Sequence, residues 1–170
     1  MADAPRVPRE PLRGALAVVR PATVDDATLL VEWHADPEVA RFWDDEIPDL
    51  AEVLADLARP EVDAYVVEAD GGPVGYLQAW FDDPPDDEET GLDMFLIPSA
   101  RGRGIGPEAA RLLARYLLDD VGRERVIVDP YLWNEPAIRA WGRAGFRGVE
   151  EREPDEDRRD PWLLMVFEEA

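Results

Sequence analysis

Arg101-Gly102-Arg103-Gly104-Ile105-Gly106 is the stretch on which the reading of this chain turns. It stands between two segments of different patterning. Before it, residues 90–97 (TGLDMFLI) are short and mostly apolar, as a strand is. After it, Ile105, Ala109, Leu112, Leu113, Tyr116 and Leu117 recur at helical spacing and form one stripe. A helix is therefore expected over 106–121, with Gly122 suited to the position after its end. A helix start carries unpaired backbone N–H groups and a partial positive charge, so it binds phosphate. Glycines let the backbone come close to the phosphate oxygens, and Arg101 and Arg103 add charge. A plain tight turn has the same composition. No Gly-Lys-Ser/Thr is present, so this is not a Walker loop. The acidic residue that a dinucleotide-binding βαβ unit needs about 20 residues further on is also missing.

Working outward, 125–129 (RVIVD) reads as a strand. Asn134 caps a helix with Pro136 in its first turn and Gly145 after its end. Residues 146–149 and 162–167 read as closing strands, with a charged segment, 150–160, between them. Upstream, 82–89 is a run of acids and prolines, expected as an exposed loop. Residues 64–68 and 74–80 flank Asp70-Gly71-Gly72 and read as a hairpin. Three helices are expected before it: from the Thr23 cap to about His34, from Asp36-Pro37, and over 50–57. Residues 15–20 (ALAVVR) read as a first strand, and 1–13 as a flexible N-terminal arm to a single domain over 14–170. The mixed order makes the fold α+β around a central sheet.

Composition narrows the function. At 170 residues, with 46% apolar and 34% charged residues, the chain has the make-up of one globular domain. It has no cysteine, which excludes disulfides, a thiol nucleophile and Cys-ligated metal, and its one histidine excludes a multi-histidine site. No metal is expected. With 39 acidic against 18 basic residues the net charge is −21. Such a surface repels nucleic acid and anionic membranes. It is either a solubility feature or the field of a cleft that takes a polycation. Without an apolar run long enough for a membrane, and without a secretion signal, the expected location is cytoplasmic.

Two motifs carry a resemblance. The 101–106 loop, following Phe95-Leu96-Ile97, resembles the pyrophosphate loop of the GNAT acetyltransferases. About 30 residues on, Asn134-Glu135-Pro136-Ala137 through Trp141 to Gly145-Phe146 resembles the family's second motif, Asn-x-x-Ala-x-x-x-Tyr-x-x-x-Gly-Phe. The resemblance implies a mixed sheet flanked by helices. Acetyl-CoA would lie between splayed central strands, held by Phe95, Ile97, Arg101, Gly102, Arg103, Gly104, Gly106 and Asn134. It also implies direct transfer of the acetyl group to an amine. Phe42-Trp43, the segments 75–78 and 88–96, and 128–130 are most similar to aminoglycoside 6′-N-acetyltransferases, enzymes of antibiotic resistance. By that likeness Asp93 would contact or deprotonate the amine, and Trp43, Gln78, Asp86 and Asp129 would line the substrate site.

The residues themselves agree in part. A carboxylate within the apolar 92–96 run conflicts with strand propensity. Alternation sets Asp93 on the face opposite Leu92 and Met94. It is then either a surface residue or a base and ammonium anchor in a cleft. Asp129, before Pro130, serves equally to shape a turn, Trp43 to fill a core, and His34 to face solvent from its helix. Trp141 stands where the family has a Tyr that protonates the departing thiolate, and Trp cannot donate that proton. The thiolate then leaves unassisted, or Tyr131 or water supplies the proton. The backbone N–H groups of 95–97 are the expected polarisers of the thioester carbonyl. Rival readings are a GNAT enzyme for another amine (a siderophore precursor, a polyamine or a protein N-terminus) and a catalytically silent acetyl-CoA-binding protein. A monomer and a homodimer fit the sequence equally.

Overall fold

The computed structural model describes residues 4–81 and 89–168. Asp70 and Gly71 take φ values of 55° and 82°, the left-handed pair that a two-residue hairpin requires. They join β3 (Val62–Ala69) to β4 (Gly72–Phe81). Around this hairpin the described residues build a sheet of eight strands in the order β1-β2-β3-β4-β5-β6-β8-β7. The others are β1 (Leu12–Arg13), β2 (Val18–Pro21), β5 (Glu89–Leu96), β6 (Arg125–Val128), β7 (Phe146–Arg152) and β8 (Trp162–Phe167). All neighbours run antiparallel except β5 and β6.

That parallel pair positions the site. β5 and β6 pair only from Glu89–Arg125 to Gly91–Ile127, and then part. At the point of parting the Trp80 indole occupies the space that a Cβ on Gly91 would need, so glycine is required where the strands diverge.

Helices cover both faces. α1 (Ala27–His34), α2 (Pro37–Ala40) and α3 (Leu50–Leu57) lie on one. Leu30, Trp33, Val39 and Val53 pack there with Tyr76 and Phe95. α4 (Ile105–Arg115) and α5 (Glu135–Ala144) lie on the other, burying Leu77, Ala79 and Leu92 with Leu113 and Leu117. Period-2 alternation thus sends Tyr76, Gln78, Asp93 and Phe95 to the face of α1–α3. The helix expected over 106–121 is α4 continued by a wider π turn over Tyr116–Val121, ending at Gly122 with φ 90°.

Three expectations change. The strand expected from residue 15 begins at Val18 as β2, and the short β1 precedes it within the expected arm. The N–H groups of Ala15, Leu16 and Ala17 donate to the Glu108 carboxylate, at 3.1, 2.7 and 2.5 Å, instead of to a strand. From residue 4 the expected flexible arm is docked. Arg6 pairs with Asp63 at 2.7 Å and lies over the Phe81 ring, and the Tyr116 hydroxyl donates to Pro5 O. β7 also runs on to Arg152, into the charged segment expected to lie between the two closing strands. As an edge strand it tolerates exposed Glu and Arg.

Candidate active site

Where β5 and β6 part, a cleft of about 780 Å³ opens. Asp93 of β5 and Gln78 of β4 form its wall, with Asp129 at the end of β6 and Trp43 after α2. Asn134 and Trp141 reach it from α5. Five residues far apart in sequence and named as site candidates (Trp43, Gln78, Asp93, Asp129 and Asn134) therefore meet. Asp86 lies outside the described residues.

Asp93 sits directly opposite Gln78 in the antiparallel register. Gln78 Nε2 donates to Asp93 Oδ2 at 3.0 Å, and the Tyr76 hydroxyl donates to Gln78 Oε1 at 2.8 Å. Burial pushes the Asp93 carboxyl up to about 7, and the nearby Asp129 charge adds to the rise. The Gln78 hydrogen bond and Arg158 pull against it. A carboxyl in that range can accept a proton near neutral pH.

Asp129 is not a free anchor. Arg158, from the segment between β7 and β8, closes on its Oδ2 at 2.7 Å and also pairs with Asp155 at 3.2 Å. The guanidinium lies 4.2 Å from the centre of the Trp162 ring, a cation–π contact. Burial raises the Asp129 carboxyl and Arg158 opposes the rise. Sequence reasoning missed Arg158, because one arginine in a charged segment carries no local signal of its partner.

The glycine loop has the features of a phosphate cradle. Gly102 and Gly104 take φ values of 74° and 83°, which an L side chain strains to adopt. The N–H groups of residues 102–106 have no acceptor among the described residues, and they lie at the start of the eleven-residue α4. A Cβ on Gly102 would meet open space. These residues fit an anionic ligand. Gly106 also serves packing, since a Cβ there would lie 3.2 Å from Met94 Cε, so glycine lets α4 approach β5. The two arginines divide. Arg101 is held by the fold, donating to Leu96 O at 3.0 Å and Glu38 O at 2.8 Å. Arg103 is exposed and pairs with Asp70 at 2.6 Å.

Of the expected backbone polarisers at 95–97, Phe95 and Ile97 are corrected and Leu96 is not. Ile97 N–H donates to Val74 O at 2.9 Å, and Ile97 O accepts from Ala100 N at 3.0 Å. Backbone groups alternate between the two edges of a strand, so Phe95, like Ile97, turns its amide toward β4. The edge that faces the cleft belongs to Met94 and Leu96.

Asn134 Oδ1 accepts from Ala137 N at 3.3 Å and so caps α5, while lining the cleft. Trp141 is buried edge-on against Phe146. Tyr131 donates its phenol proton to Asp44 at 2.8 Å, and burial and that bond raise it to about 12. It is therefore a poor proton donor to a thiolate. Trp43 serves both readings: it borders the cleft and packs within 6.0 Å of Tyr76 and 5.4 Å of Phe95. His34 is buried against the same rings, not facing solvent, and its Nδ1 has no hydrogen-bond partner among the described residues. Burial holds it below the usual imidazole range.

The family described as acetyltransferase (GNAT) domain matches residues 22–153. The chain belongs to the GNAT acetyltransferases. Its sheet, parting at β5 and β6 above a glycine loop, is the GNAT fold. Acetyl-CoA is the acetyl donor of this family. The aminoglycoside N(6′)-acetyltransferase type 1 of Klebsiella pneumoniae is 29% identical over 145 residues, 75% of this chain and 72% of that protein. The structure of AAC(6′)-Ib in complex with parmomycin and acetyl-CoA superposes with a TM-score of 0.78 at 28% identity, covering 89% of this GNAT chain and 93% of that one. The same enzyme with coenzyme A and kanamycin gives 0.76 at 28% identity, covering 88% and 93%. No helix of the described residues is long and apolar enough to cross a membrane.

Proposed function

We propose that this GNAT enzyme acetylates an amine of an aminoglycoside, the 6′-amine, and so confers resistance to that antibiotic. The observation that carries the reading is Asp93: a carboxylate raised to about 7 on the wall of an acidic cleft, open to a ligand. The named relatives support the substrate class.

When bound, acetyl-CoA supplies a thioester whose carbonyl carbon is attacked by the amine. The N–H groups of 102–106 would hold its pyrophosphate, and Asn134 would border its pantetheine arm. Met94 and Leu96 present backbone groups on the strand edge where the thioester carbonyl would be polarised. The substrate ammonium first meets a carboxylate. Asp93, directly or through one water, takes a proton from the ammonium before attack and so frees the nitrogen lone pair; the second proton leaves that nitrogen to water once the N–C bond has formed. Neither Trp141 nor Tyr131 is suited to protonate the sulfur, so the C–S bond of a bound acetyl-CoA would break to give a thiolate. Arg158 neutralises Asp129, so of these two buried carboxylates Asp93 is the one left to face the cation.

The test is thiol release from acetyl-CoA with kanamycin, tobramycin, spermidine and a peptide N-terminus, followed by NMR of the product to locate the acetyl group. Acetylation of the aminoglycosides at the 6′-nitrogen is expected. Turnover confined to spermidine or the peptide would overturn the substrate assignment and leave a GNAT enzyme for another amine. No turnover with any amine would leave a silent acetyl-CoA-binding protein.

A further inference from the structure

Gln78 can present either of two opposite groups to Asp93: an N–H that donates or a carbonyl that accepts. Only the first suits an ionised carboxylate. The second suits a protonated one, whose O–H needs an acceptor. A proton acceptor beside a freely turning amide would therefore be stabilised in the protonated state, where it is spent.

The structure assigns to Tyr76 a positioning role: its hydroxyl holds the Gln78 amide in the orientation that points N–H at Asp93, and so keeps that carboxylate ready to accept a proton. This rests on the reading of Asp93 as the base. Tyr76 and Gln78 stand two residues apart on β4, on one face, opposite Phe95 and Asp93 respectively. The chain of donors runs one way, from Tyr76 Oη to Gln78 Oε1 at 2.8 Å and from Gln78 Nε2 to Asp93 Oδ2 at 3.0 Å. Reversing the amide would set its N–H against the phenol oxygen and strip the phenol proton of its acceptor. Tyr76 is 6% exposed and ringed by His34, Trp43 and Phe95, where an unsatisfied donor is costly. The Tyr76 ring is stacked on Phe95, 5.7 Å between centres, which keeps the hydroxyl from following the amide.

The other charges that face this pair stay in place when the hydroxyl is removed. Asp93 faces Asp129, Arg158 and Asp44. Tyr76 faces Asp56 and Arg59 from α3 and the turn after it. His34 packs on the Tyr76 ring and titrates below its ordinary range, so a direct readout of the carboxyl is needed beside the kinetics.

The experiment follows the Asp93 carboxyl by carbon-13 NMR across pH in the cofactor-free protein, assigned with Asp93→Asn, and measures kcat/KM against pH with the accepted amine. Tyr76→Phe should raise the Asp93 midpoint by about 0.5–1 pH unit, in the range of one ordinary net hydrogen bond. The acid limb of kcat/KM should move up with it, and the loss of activity should shrink toward pH 9. Gln78→Met alone should raise the midpoint at least as far, and adding Tyr76→Phe to it should move nothing more. An unmoved midpoint in Tyr76→Phe overturns the proposal. So does an equal shift with and without the Gln78 amide, which would make Tyr76 a packing residue. An unmoved midpoint in Gln78→Met overturns it without recourse to Tyr76→Phe, should that variant fold poorly. If the midpoint moves and the kinetic limb does not, Tyr76 does orient the amide, and it is the reading of Asp93 as base that falls.

Discussion

Replacing Asp93 by Asn keeps the size of the side chain and an acceptor for Gln78, and removes the proton acceptor. With the accepted amine, kcat should fall by about 10²–10⁴-fold, the range of a lost acid–base group, while acetyl-CoA affinity holds. Wild-type turnover in Asp93→Asn would move the role to another group. The wild-type profile of kcat/KM should rise with pH and level off above about 7, where Asp93 is ionised. The same residue sets a stability trend. Its folded value lies above the ordinary 3.8, so folding favours the protonated form. That contribution is complete below 3.8 and is lost as pH rises through about 7. At pH 8 Asp93→Asn should therefore be more stable than wild type by on the order of 1–3 kcal/mol, with the gap closing below pH 4. Urea melts at the two pH values check the sign. Trp141 makes the opposite case. Neither Trp nor Phe donates a useful proton, so Trp141→Phe should keep kcat within about tenfold, well inside the 10²–10⁴ of a true acid. It should lose stability by about 1–3 kcal/mol as the contact with Phe146 thins. A drop in kcat beyond 100-fold would show that Trp141 takes part in the chemistry.

At the scale of elements, the loop before α4 and the parting of β5 from β6 make the cleft. Gly104→Val places a β-branched residue at φ 83°, which costs about 1–2 kcal/mol of stability and crowds the unpaired N–H groups. Acetyl-CoA affinity by calorimetry should fall at least tenfold in protein that still melts cooperatively. Unchanged affinity would take the loop out of the cofactor site. These elements were legible because their signals are local: a helical stripe, a cap, a glycine turn. The strand at 15–20 was misread because the acceptor of its first amides, Glu108, lies on α4. Phe95 and Ile97 were misplaced as backbone polarisers for a related reason. Which edge of β5 an amide faces depends on which residue first pairs with β4, and that register is set across the sheet.

For the whole molecule the relevant quantity is the net charge of −21. In the cleft several acids are paired locally, Asp129 and Asp155 with Arg158 and Glu61 with Arg59. What remains is the long-range field, which attracts a polycation and is screened over a Debye length of about 10 Å at 0.1 M salt. Raising salt from 0.05 to 0.5 M (about 14 to 4 Å by the same scaling) should raise KM for an aminoglycoside several-fold and leave kcat nearly unchanged, since this term binds ground and transition states alike. A KM indifferent to salt would make the acidic surface a solubility feature alone.

The order of elements, the glycine loop at a helix start and the odd carboxylate in an apolar strand were determined by the sequence itself, because each depends on neighbours within a turn or two of chain. That Asp93 shares a wall with Gln78, that Arg158 covers Asp129 from 29 residues away, and that His34 is buried among aromatic rings were decided only by the tertiary structure. Burial and hydrogen-bond partnership depend on what the folded sheet and helices bring to a side chain. The same carboxylate would titrate near 3.8 in an open chain and rises to about 7 only where the fold withdraws it from water beside a second acid.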